Sequence, residues 1–115
     1  MAGLLIEHYG ERLRDAPALA HDALTATLDN GVILELRFAG AEEYSLRWQH
    51  DGRVFAIDTA PLHPELATFP NHLHAPDGGL GSDPLTQPGR APWDNVRALV
   101  ELVLDDPLLE RQVER

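Results

Sequence analysis

Apolar and polar residues alternate along the chain from Leu24 to Asp58, while both ends follow a helical period instead. Leu24, Ala26 and Leu28 alternate with Thr25 and Thr27. Asp29-Asn30-Gly31 then supplies residues that tolerate the left-handed backbone of a tight turn, and Val32, Leu34, Leu36 and Phe38 resume on one face, which predicts a β-hairpin. After a break at Ala39-Gly40-Ala41, Tyr44, Leu46 and Trp48 share a face opposite Ser45, Arg47 and Gln49. Asp51-Gly52 makes another two-residue turn, and Arg53 to Asp58 reads as a fourth strand. At the N-terminus Leu4, Leu5, Tyr9 and Leu13 fall near one stripe, predicting a helix over about 3–15 that Pro17 ends. Near the C-terminus Pro92 suits a first helical position, and Val96, Leu99, Val100 and Val103 follow at core-facing spacing until Pro107. The expected fold class is α+β: a four-stranded antiparallel meander whose one apolar face is covered by the N-terminal and C-terminal helices.

Two stretches escape this pattern. Asp58 to His74, DTAPLHPELATFPNHLH, crowds three prolines and three histidines into an irregular segment that reads as laid across the sheet. Residues 75–91, rich in Gly and Pro, have no period and are longer than an ordinary connection, so a mobile surface loop is expected there. The tail from Leu108 to Arg115 is read either as one or two helical turns or as a frayed end, with Leu108-Leu109 as a docking pair.

Composition narrows the class of molecule. At 115 residues and 43% hydrophobic content the chain suits one compact domain over 1–115. The absence of cysteine excludes disulfides, thiol catalysis and thiolate metal sites. No apolar run is long enough for a membrane span and no signal peptide is recognised, so a soluble cytoplasmic protein is the expectation, with no membrane partner. The net charge is −10, and all nine bases are arginine. Such a surface repels phosphate at long range, although a local arginine patch remains compatible with it.

The candidate chemistry lies in the irregular segment. His72 and His74 are one residue apart, so on an extended chain both imidazoles point the same way. The pair reads in three ways: as structural or surface groups, as a general acid and base acting on a phosphodiester, or as half of a metal site completed by His63 or Asp77. Asp58, just before the segment, either orients a histidine or caps a turn. Arg37 and Arg47 lie on polar strand faces and Arg53 opens the fourth strand, so all three can meet phosphate or else pair with neighbouring acids such as Glu35. His50, beside a turn, is expected at the surface. No phosphate-cradling glycine loop, zinc-protease helix or nucleophile elbow is present.

Taken together, LTATLDNGVILELRF, YSLRWQHDGRVFAIDTAP and LHPELATFPNHLH resemble the TumE-like family of toxins from toxin–antitoxin modules, over about 23–104. Ala60, Pro61, His63, Pro64, Glu65, Leu66, Thr68, Phe69, Pro70, His72 and His74 match the family's proline- and histidine-rich run. Thr59, Leu62, Asn71 and Leu73 depart from it. The resemblance implies a growth-restraining toxin neutralised by a cognate antitoxin, with RNA as its expected target. The candidate reaction is metal-independent RNA cleavage, with His72 and His74 as acid and base, His63 and Asp58 beside them, Arg47, Arg53 and Arg37 on the phosphates, and no cofactor. The competing expectations are a non-enzymatic protein-interaction domain and a histidine-based metal protein. A homo-oligomer is left open.

Overall fold

The computed structural model describes residues 1–110. Among these, the chain opens with helix α1 (Ala2–Tyr9) and a 3-10 turn (Gly10–Arg12). Seven strands follow, β1 (Ala18–Ala20), β2 (Ala23–Thr27), β3 (Ile33–Phe38), β4 (Tyr44–His50), β5 (Arg53–Asp58), β6 (His72–His74) and β7 (Leu80–Ser82), and then helix α2 (Pro92–Asp105). The strands form one sheet in sequence order, each antiparallel to the next. The α+β class holds, but the sheet has seven strands where four were expected. The additional strands have three residues each. Such strands are too short to show alternation, and β1 is exposed at every position, so no apolar face announces it.

The meander β2–β5 puts its apolar phase on one side. Leu24, Ala26, Leu34, Leu36, Leu46, Trp48, Phe55 and Ile57 are all buried there. Trp48 stacks on Phe55 with ring centroids 5.3 Å apart and planes 7° from parallel. Helix α2 lays Val96, Leu99, Val100 and Val103 onto this face, and α1 adds Leu5 and Tyr9 to the same core. Each aliphatic side chain so buried contributes about 1.5–3 kcal/mol before chain entropy is counted. Polar ties fix the helices in place: the Tyr9 hydroxyl donates to Glu101, and the Asn30 amide donates to the Val103 carbonyl at 3.0 Å. Burial, reinforced by the Glu101 carboxylate, pushes the Tyr9 hydroxyl up to about 12, against a smaller opposing effect of Arg97.

Helix α1 stops well short of Asp15 because the chain is diverted into sheet-like pairing. Leu13 bridges to Leu28, the Arg14 N–H donates to the Thr27 carbonyl at 2.8 Å, and the Asp29 N–H donates to the Arg12 carbonyl at 2.7 Å. At the other end Leu109 is fully buried with φ at 53°, so apolar burial holds a non-glycine residue in the left-handed region. Residues 111–115, the rest of the tail expected as helical turns or a frayed end, lie outside the described residues. No described helix is long and apolar enough to cross a membrane.

The 75–91 stretch is more than a surface loop. It contains β7, which pairs with β6, and then a turn that enters the protein interior. There Asp83 accepts the N–H groups of Leu85 and Thr86 at 2.7 and 3.0 Å and the Asn71 amide at 2.7 Å. The Thr86 hydroxyl also donates to Asp83 and lies 2.7 Å from the Tyr44 hydroxyl. Asn95 of α2 joins from the other side, exchanging two hydrogen bonds with the backbone of Gln87.

Candidate active site

Antiparallel partners point to the same side of a sheet, so the register decides what shares a face. Asp58 pairs with His72 and Ala56 with His74, while Leu73 pairs with Ile57 in the alternate, core-facing phase. Both imidazoles therefore stand on the face away from the helices, as the one-residue spacing predicts. Extending the register gives two cross-strand rows on that face. One runs Arg37, Ser45, Asp58, His72, Ser82, and the other runs Glu35, Arg47, Ala56, His74, Leu80.

Asp58 ties the histidines together. Its Oδ1 lies 3.0 Å from His72 Nε2 and its Oδ2 lies 3.3 Å from His74 Nε2. Oδ1 also accepts the Ala60 N–H at 3.0 Å, which holds the carboxylate where the strand ends. Asp58 thus orients two imidazoles and caps a turn at once. The rings of His72 and His74 meet edge to face at 4.7 Å, and His63 meets His72 in the same way at 4.9 Å.

The three imidazoles are not equivalent. His72 is 1% exposed, and its Nδ1 lies 3.1 Å from the Pro70 carbonyl oxygen. A carbonyl only accepts, so Nδ1 carries a proton and donates it. With Nε2 against Asp58, both nitrogens of His72 are occupied by the protein. The side chain of His74, by contrast, is 45% exposed and uses Nε2 on Asp58, so the free edge of its ring reaches solvent. His63 is 30% exposed, with Nδ1 3.6 Å from Glu65.

The proline-rich segment is the roof over His72. Successive turns close through Leu66 N–H to His63, Phe69 N–H to Leu66 and Asn71 N–H to Thr68. The Thr68 hydroxyl donates to the Asn71 carbonyl at 2.7 Å and accepts the Asp83 N–H at 2.8 Å, which connects the roof to the buried Asp83 turn. Asn71 is buried and its amide donates to Asp83 and to the Thr86 carbonyl, so this departure from the histidine-rich run is part of the polar interior. Leu62, another departure, is exposed.

The arginines separate. Arg47 is exposed on the histidine face, two strands from His74, a span of roughly 10 Å at ordinary strand spacing, and makes no ion pair among the described residues. Arg37 is on the same face but is engaged by Glu35 at 3.0 Å and Asp22 at 3.4 Å. Arg53 takes the phase of Phe55 and Ile57, on the helix side of the sheet, and is not brought to the histidines. Asp77 accepts the Gly79 N–H within its own turn and is not among the residues grouped with His72 and His74. His50, expected at the surface, is half-buried with Nε2 3.2 Å from the Asn30 carbonyl.

Sequence reasoning missed the Asp83 network. Its signal was the Asp-Pro pair at 83–84 followed by Thr86, a local pattern in which an aspartate side chain accepts N–H groups two and three residues on. The pattern gives the turn, but not that Asn71 and Tyr44 complete it.

The family model described as Toxin TumE matches residues 5–112 of the chain. No curated protein and no solved structure gives a significant match. The match extends over nearly the whole sequence, and the chain belongs to the TumE toxin family.

Proposed function

We propose that this TumE-family toxin restrains growth by cleaving RNA through proton transfer at the Asp58–His74 pair, with His63 as the second proton-transferring group and a cognate antitoxin as its natural partner. The observation that carries the reading is the half-exposed imidazole of His74 held by a carboxylate already anchored to the fold. A ring so oriented presents its other nitrogen to a ligand, and imidazole changes charge near neutral pH, as acid–base work requires. His72, with both nitrogens occupied, is assigned a positioning role, in contrast to the acid or base role its spacing suggests.

One imidazole takes the proton of a ribose 2′-hydroxyl, and the 2′-oxygen attacks the adjacent phosphorus. The bond from phosphorus to the 5′-oxygen breaks, and the second imidazole protonates that oxygen. The products are a 2′,3′-cyclic phosphate and a free 5′-hydroxyl. Arg47, on the same face and free of ion pairs among the described residues, suits the neighbouring phosphate. Because the overall charge is −10, productive contact depends on short-range recognition rather than on steering.

The test is induced expression without antitoxin. His74→Ala is expected to relieve growth arrest while the protein remains folded, and RNA from arrested wild-type cells is expected to gain cyclic-phosphate ends. Continued arrest by a His63→Ala, His74→Ala double variant would remove the histidine mechanism.

A further inference from the structure

Two lone pairs cannot face each other at hydrogen-bonding distance without a positive charge between them, and His72 creates that situation. Its Nδ1 proton is committed to the Pro70 carbonyl, so in the neutral ring the Nε2 lone pair is aimed at Asp58 Oδ1 only 3.0 Å away. The other oxygen of the same carboxylate stands 3.3 Å from His74 Nε2. One donor atom from each of the three side chains lies within 4.8 Å of the other two. A proton satisfies this arrangement, and so does a metal ion.

We propose that Asp58, His72 and His74 form a binding site for a divalent transition metal of the zinc type, and that metal and protons compete for it. Two imidazole nitrogens and one carboxylate suit zinc and its neighbours, whereas magnesium and calcium take oxygen-rich shells. Zinc bonds of about 2.0–2.1 Å in a tetrahedron place donors about 3.4 Å apart, so three donor atoms that already lie within 4.8 Å of one another need only close slightly around a common ion. The Pro70 carbonyl supplies what a metal-binding histidine commonly has, an outer partner for its second nitrogen that fixes ring and tautomer. The donors sit on paired strands, which limits rearrangement on binding, and the exposed side of His74 leaves an approach and a fourth position for water. The acidic chain raises the local concentration of cations.

The binding site stands independently of the RNA chemistry, but its consequence for activity rests on that reading. A bound metal would take His74 Nε2 from Asp58 and so switch off proton transfer. The experiment uses untagged, chelator-treated protein titrated with Co2+ alone. A single saturable equivalent with visible d–d absorption, displaced by Zn2+, is expected. Asp58→Asn and His74→Ala, each checked for folding by circular dichroism, should weaken binding at least about tenfold, the loss that removing even an outer-shell partner can bring. His21→Ala, on an exposed turn, should bind as wild type. No saturable binding, or binding unaffected by both site variants, overturns the proposal. In a parallel arm Zn2+ is added to the wild-type reaction. Inhibition reversed by chelator supports competition, whereas cleavage that requires the metal keeps the site and overturns the proton-transfer mechanism. Growth arrest that needs His74 in a protein that binds no Co2+ does the reverse.

Discussion

The β2–β5 meander and the β6–β7 end of the same sheet are held by opposite means. In the meander, long strands alternate and their apolar phase is sealed by α1 and α2 around Trp48, Leu34 and Leu46. At the β6–β7 end the strands have three residues each, and the buried groups nearby include Asn71, His72, Asp83 and Thr86, each held by specific partners. Apolar burial is forgiving of direction and needs only the correct face. A buried polar group needs a partner at the right distance and angle, so it fixes position more tightly and fails more sharply when that partner is removed. The candidate site residues Asp58, His72 and His74 lie where the second means operates.

Removing the largest apolar anchor should have the greatest effect. Trp48→Ala is expected to cost about 3–5 kcal/mol, enough to threaten a domain of ordinary stability, read as a lower urea midpoint. A loss no greater than that of a surface variant would mean the meander is not the principal support. Asp83→Ala should come next, at about 1–3 kcal/mol, because the Leu85 and Thr86 N–H groups and the Asn71 amide lose their shared acceptor. Hydrogen exchange should then rise in β6 and β7 while β3 and β4 remain protected. Equal loosening of all four would erase the distinction between the two regions.

Tyr9 offers a polar probe of the apolar half. Its folded pKa is raised to about 12 from 10.0, so the stabilisation present below pH 10 is lost as pH rises through about 12. Urea midpoints should fall across that window, and Tyr9→Phe should flatten the fall. A wild-type tyrosine titration with every group ionising near 10 would contradict the burial of Tyr9 and its tie to Glu101. The smallest effect is expected for Arg37→Ala. Its ion pairs with Glu35 and Asp22 are solvent-exposed, and no resolvable change in the urea midpoint should follow.

What could be read from sequence follows the same division. The strands from Ala23 to Asp58 and the start of α2 at Pro92 follow from alternation, turn residues and helical spacing, because each residue there reports its own face. The shared direction of His72 and His74 also follows from spacing alone. That Asp58 would serve both rings does not, because it depends on β5 pairing with β6 across the 59–71 segment. The tie of the His72 ring to the Pro70 carbonyl was equally hidden, because it forms only once the turns of the 59–71 segment bring that carbonyl against the imidazole. Strand β1, Ala18-Leu19-Ala20, was invisible because three residues exposed at every position carry no alternation between a buried and a solvated face.

The pairing of Asp58 with His72 also makes the site a matter of parity. A strand turns over with each residue, so one insertion between His72 and Leu73 would send Leu73 outward and His74 into the core, parting the two imidazoles. A change in length within 59–71 carries no such penalty of phase, because a segment of turns can absorb an odd residue without inverting the strand that follows. Two neighbouring stretches of one motif therefore face different rules under insertion and deletion: the roof can drift in length, while the strand beneath it must keep count.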